Sequence, residues 1–100
     1  MYIAMNRFRI APGREVDFIA VWKNRDSQLE QVPGFVEFHL LQGETDDSGT
    51  LFASHSIWES AEAFVAWTHS EAFRQAHANA GESKGIYLGP PKFEGFNVVL

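Results

Sequence analysis

The sequence predicts an α+β fold of the order β-α-β-β-α-β, and three observations lead there. Apolar residues recur with period two in four stretches of strand length. Two stretches with helical spacing separate the first strand from the second and the third from the fourth. Proline and glycine pairs punctuate the joins. A chain that runs through these elements in this order closes into a ferredoxin-like sheet of four antiparallel strands with both helices on one face. At 100 residues, 45% of them hydrophobic, the chain has the size of one such domain, residues 1–100.

The decamer Met1–Ile10 alternates. Tyr2, Ala4, Asn6, Phe8 and Ile10 share one face, and Ile3, Met5, Arg7 and Arg9 share the other. Ala11-Pro12-Gly13 ends this strand. From Arg14 to about Glu30 the spacing of Phe18, Val21, Trp22 and Leu29 predicts a helix, which Pro33-Gly34 closes off. Phe35 to Gln42 reads as the second strand, Gly43 to Gly49 as a solvent loop, and Thr50 to Trp58 as the third strand. Ser60 is a good N-cap for a helix with Glu62 in its first turn. Ser70-Glu71 offers a second cap, so two short helices are expected to meet near Thr68-His69-Ser70, with Gly81 as the terminating residue. Ala80 to Pro91 reads as a long loop and Phe93 to Leu100 as the last strand.

In the second strand Phe35 and Leu41 lie opposite Val36, Phe38 and Leu40, so neither face of the sheet is polar. A second apolar face needs a cover. Two sheets packed together provide one, which predicts a homodimer, a dimeric α/β barrel.

Composition excludes several classes of function. Thirteen acidic against eight basic residues leave a formal charge of -5, which argues against a nucleic-acid partner. The absence of cysteine removes disulfides, iron–sulfur clusters and thiolate chemistry. No apolar run approaches membrane-spanning length and no signal-peptide pattern is visible, so no membrane partner and a cytoplasmic location are expected. The glycines form no phosphate loop, and the serines have no nucleophile-elbow context.

Three residues stand out. Asn6 lies among apolar neighbours in the first strand, where an unpaired amide is costly. Either neighbouring backbone satisfies it at a bulge or sheet edge, or it is a polar group placed in a pocket. His77 shares a helical face with Phe73, Ala76 and Ala80, as a satisfied structural histidine or as a ligand. Trp67, at helical spacing from Phe64, reads first as core. In one straight helix Trp67 and His77 would stand roughly 15 Å apart. A break at Thr68-His69-Ser70 lets both face one broad pocket, which suits a broad, flat ligand. His39, His55 and His69 are scattered, and no metal site built wholly from side chains is expected.

Met5-Asn6-Arg7-Phe8, Val32-Pro33-Gly34-Phe35 and Ile57-Trp58-Glu59-Ser60 resemble the antibiotic biosynthesis monooxygenase (ABM) superfamily. The stretch from Phe64 to His77, Phe-Val-Ala-Trp-Thr-His-Ser-Glu-Ala-Phe-Arg-Gln-Ala-His, is more selective and resembles the IsdG-type haem-degrading monooxygenases. The resemblance implies that His77 is the proximal ligand of haem iron. It implies that Asn6 lies on the distal side, donating toward iron-bound oxygen species, and that Trp67 presses the macrocycle out of plane. Haem is then substrate as well as cofactor, opened by O₂ with electrons from a separate reductase or small-molecule reductant, and its iron is released. Arg7, Arg9, Arg25 and Arg74 are candidate cations for the two haem propionates. The alternatives are a cofactor-independent quinol or polyketide monooxygenase of the same superfamily, or a non-enzymatic haem-binding, stress-response dimer.

Overall fold

The computed structural model describes residues 1–25, 29–70 and 85–100. The alternating N-terminal segment becomes strand β1 (Tyr2–Ile10), which lies inside a sheet and pairs on both sides. One neighbour is β3 (Gly49–Trp58), which pairs in turn with β2 (Phe35–Asp46); the other is β4 (Lys92–Asn97). The order β2-β3-β1-β4, antiparallel throughout, is that of the ferredoxin-like fold.

Helix α1 (Glu15–Lys23) and helix α2 (Ala61–Thr68) contribute to two neighbouring cores against the sheet. One core joins Phe8, Ile10, Phe52 and Ile86 to Phe18 of α1, whose ring is fully buried 4.8 Å from that of Phe52. The other gathers Tyr2, Phe35, Phe64 and Trp67 around Ala4, Leu29 and the fully buried Trp58. Burial of one such aromatic ring contributes about 2–3 kcal/mol. In α2, Ser60 caps the helix as expected, its Oγ accepting from the Ala63 amide at 3.1 Å. Gly34, at φ +84°, lets the chain pass directly beneath α2; a Cβ there would meet that of Ala63 at 2.5 Å. Among the described residues no helix is long and apolar enough to cross a membrane.

Four expectations change. First, α1 ends at Lys23 rather than near Glu30, and Leu29 sits in a separate 3-10 turn, Leu29–Gln31. Asn24, a poor helix former whose side chain competes for backbone groups, follows Lys23 as the C-cap. Second, the expected loop at 43–49 is mostly strand. β2 continues to Asp46, leaving only Asp47 and Ser48 as the hairpin connection. Thr45 and Thr50 face each other with hydroxyls 2.9 Å apart. The Asp46 carboxylate accepts from the Ser48 amide at 2.9 Å and hydroxyl at 2.7 Å, so polar residues here close a turn. Third, residues 86–88 do not form open loop. They line the end of β1 through Ala11 N–H to Ile86 O at 2.8 Å and Leu88 N–H to Arg9 O at 2.9 Å. Fourth, β4 stops at Asn97, short of the predicted end at Leu100. The break near Thr68 agrees with expectation: α2 ends there and His69 is its C-cap. The second short helix and Gly81 lie outside the described residues.

Candidate functional site

The parity of β1 sends Asn6 toward the helices. It lies mid-strand with regular pairing on both sides, opposite Ser54 of β3 and Phe93 of β4. There is no bulge to satisfy its amide, and it makes no side-chain hydrogen bond among the described residues. Instead it lines a cavity of about 380 Å³. Phe8, Trp22, Pro90 and Pro91 supply apolar walls, and Arg25 and Tyr87 supply the other polar groups.

Each wall has a local cause. Trp22 sits in the last turn of α1, where its indole stacks on Phe38 at 5.4 Å between centroids and meets Phe8 edge-on at 6.0 Å. Arg25 follows the C-cap Asn24 and lays its guanidinium over that indole, 4.2 Å from the ring centroid. Tyr87 is held against the sheet by its bridge to Ile10, with its ring 6.0 Å from Phe8 and 5.7 Å from Phe18. Gly89, Pro90 and Pro91 then cross from this edge to β4.

Arg25 and Tyr87 lie close enough to influence each other, and burial acts on both. It lowers the Arg25 pKa, against the opposing influence of Tyr87, and raises that of Tyr87, against the opposing influence of Arg25. A guanidinium remains charged under such a shift. Among the described residues no carboxylate pairs with it. A partly desolvated cation with no counter-ion among the described residues, beside an apolar cavity, can receive an anionic group on a ligand.

The other cationic candidates separate by face. Arg7 is bound to Glu94 at 2.6 Å and Arg9 to Asp46 at 3.0 Å. Both alternate with Asn6 and Phe8, and therefore point to the side of the sheet away from the helices. Arg74 lies outside the described residues. Strand parity alone separates Arg7 and Arg9 from Asn6; nothing in the chain pattern singles out Tyr87, beyond the apolar triplet Ile86-Tyr87-Leu88 between two glycines.

Trp67 is half-buried on α2, 5.4 Å from the ring of Trp58 and 6.1 Å from that of Phe64. It therefore shares the helix-covered side of the sheet with Asn6, as part of the Trp58 core. Phe64 also stacks on Phe93 at 5.5 Å, and Phe93 is the cross-strand neighbour of Asn6, so the two residues are linked through that aromatic pair. His77 lies outside the described residues. His39 and His55 are cross-strand neighbours on the far face of the sheet, His39 lying 3.1 Å from Glu37, and His69 is exposed at the end of α2. Among the described residues no three His, Cys, Asp or Glu side chains cluster as a metal site.

A mostly apolar cavity with an amide on one wall and a cation on its border can hold a flat anionic ligand and offer a hydrogen bond to a reacting group. Comparison with known proteins agrees with the architecture. A curated relative, the staphylobilin-producing heme oxygenase of Staphylococcus epidermidis, is 29% identical over 84 residues, 84% of this chain and 80% of the relative. The solved structure of the heme-degrader MhuD from Mycobacterium tuberculosis, with two hemes in its active site, is 28% identical at a TM-score of 0.74, covering 100% of this chain and 97% of that one. SnoaB, a cofactor-independent oxygenase from Streptomyces nogalater, is 20% identical at a TM-score of 0.69, covering 99% of this chain and 94% of that one, and shares the fold. The family model for antibiotic biosynthesis monooxygenase matches residues 1–79, and the chain belongs to that family.

Proposed function

We propose that the protein is a haem-degrading monooxygenase. The observation that carries the reading is the cavity beside β1, where, among the described residues, Asn6 offers an amide with no side-chain hydrogen-bond partner and Arg25 a cation with no carboxylate. The relatives of 29% and 28% identity, a heme oxygenase and a heme-degrader, support haem as the substrate.

The residues fit such a molecule. Phe8, Trp22 and the two prolines would contact a large apolar plate and keep water from it. Arg25 would take a propionate at the border and so set the orientation of the plate. Asn6, fixed by regular pairing along both edges of β1, would offer its amide to the reacting group. Trp67 would bear on the plate from α2, and His77 would hold the iron as neutral imidazole. Bound haem supplies the redox chemistry, with O₂ as oxidant and electrons from an external donor.

A homodimer is part of this reading. The far face of the sheet carries Ile3, Met5, Leu41, Leu51, Ile57 and Phe96, with Leu41 and Phe96 more than 40% exposed in the single chain. Packing two such faces together removes an apolar patch that one copy leaves in water. Light scattering then gives twice the chain mass of 11.3 kDa; a stable monomer contradicts it.

The function is tested in two steps. Haemin added to the purified protein is expected to produce a saturable Soret shift, and ascorbate with O₂ then bleaches that band and releases iron. No Soret shift rejects the haem reading in favour of cofactor-independent oxygenation. A stable Soret band under reductant points to haem binding without turnover.

A further inference from the structure

Trp22 belongs to two cavities at once. One is the Asn6 cavity; the other, of about 330 Å³, lies behind the indole and is walled by Ile19, Phe38, Leu40 and Phe52. Among the described residues Trp22 is the one side chain common to both linings. Its Nε1–H is shut off from solvent and has no hydrogen-bond partner among the described residues. The contrast with Trp58 is informative, because that fully buried indole donates to Ser56 Oγ at 2.9 Å. A buried donor without an acceptor costs the full desolvation of the group, and native interiors rarely leave one.

Ring contacts alone hold the indole: Phe38 stacks on it at 5.4 Å and 22°, the Arg25 guanidinium lies 4.2 Å from its centroid, and Phe8 and Phe18 meet it edge-on at 6.0 and 6.3 Å. None of these contacts fixes the orientation of its N–H as a directional hydrogen bond would. Either cavity alone is small for a tetrapyrrole. Joined, they offer nearly twice the room of one.

We propose that Trp22 is a movable partition and a ligand-sensing donor. A planar, largely apolar ring system with an oxygen acceptor on its periphery tilts the indole, merges the two cavities and accepts the hydrogen bond from Nε1. The cost held by the free protein is relieved only when that acceptor arrives, so Trp22 selects oxygen-bearing macrocycles over plain apolar molecules of the same size. The inference rests on the haem reading, since it takes its ligand class from there.

The test uses gallium protoporphyrin IX, a diamagnetic stand-in for haem, followed by the indole ¹⁵N–H signals of the three tryptophans. Trp22 is assigned by its loss in Trp22→Phe or, if that variant does not fold, by its proximity to Phe38. Binding is expected to move the Trp22 indole signal downfield and slow its solvent exchange, while Trp58 stays near its free position. Trp22→Phe keeps an aromatic wall without the donor, and is expected to bind about five-fold more weakly. Trp22→Ala opens the partition permanently and is expected to associate faster than the parent. An unmoved Trp22 signal in a protein that binds the porphyrin overturns the inference and leaves the haem reading standing. No porphyrin binding by the parent protein overturns both.

Discussion

Replacing Arg25 by leucine removes a charge from the Asn6 cavity while keeping an apolar side chain as far as Cδ. In the free protein the change also removes the guanidinium stacked 4.2 Å over Trp22 and its influence on Tyr87. An exposed cation–π contact contributes about 0.5–1 kcal/mol. For a domain of this length that lowers Tm by roughly 2–8 °C. The protein should therefore remain folded at room temperature, where binding is measured. A hydrogen bond between guanidinium and carboxylate contributes about 1.5–3 kcal/mol, a factor of roughly 10 to 150 in Kd. Arg25 is only partly buried, so solvent screening places the effect near the lower end, about ten-fold. The assay compares haemin with its dimethyl ester, which keeps the plate and loses both carboxylates. Arg25→Leu is expected to weaken haemin about ten-fold and to leave the diester unchanged. Equal weakening of both ligands would refute the reasoning, because it would show that Arg25 acts by shaping the cavity through Trp22.

Other outcomes test the remaining residues. His77→Ala is expected to abolish the Soret band, whereas His39→Ala, His55→Ala and His69→Ala retain it; loss with His69→Ala alone would mean the ligand is misassigned. Asn6→Ala should bind haem normally and lose ring opening, and parental degradation rates in single-turnover assays would reduce Asn6 to a spectator. Trp67→Phe should still bind haem but turn over more slowly, with weaker out-of-plane signatures in resonance Raman spectra. Since Trp67 also packs on Trp58, a lower Tm with unchanged distortion would make it a core residue only. The hairpin supplies a pH test. Hydrogen bonds from the Glu15 backbone and Thr50 lower the Glu15 pKa, and those from the Ser48 hydroxyl and amide lower that of Asp46. Both groups then stabilise the fold above the ordinary carboxylate range and lose that contribution as pH falls through roughly 4 and below. Tm should fall over that window in the parent, and less steeply in Asp46→Asn.

Sequence alone determined the features that depend on local periodicity. Alternation along β1 set which side chains face the helices, because a strand has period two and one face of this sheet is covered. Ser60 marked the start of α2 because an N-cap is chemistry between residues three apart. The order of elements then left the ferredoxin-like fold, and the motifs at Met5–Phe8, Val32–Phe35 and Ile57–Ser60 pointed to the ABM superfamily. Tertiary structure decided the rest. Residues 43–46 read as loop because they are polar, yet they continue β2, and Thr45 and Asp46 pair after a register shift, since strand pairing is made by the backbone and by cross-strand partners such as Thr50. Trp22 was one of four apolar residues at helical spacing, and only packing shows that it lines two cavities with an N–H unpaired among the described residues. Arg25 was one of several arginines, all alike as letters. Glu94 and Asp46 neutralise Arg7 and Arg9 on the far face, while the turn after α1 carries Arg25 to a cavity without a carboxylate. Charge is written in the sequence; whether a charge finds its counter-ion in the protein or awaits one on a ligand is a matter of distance, and distances between remote segments exist only once the chain has folded.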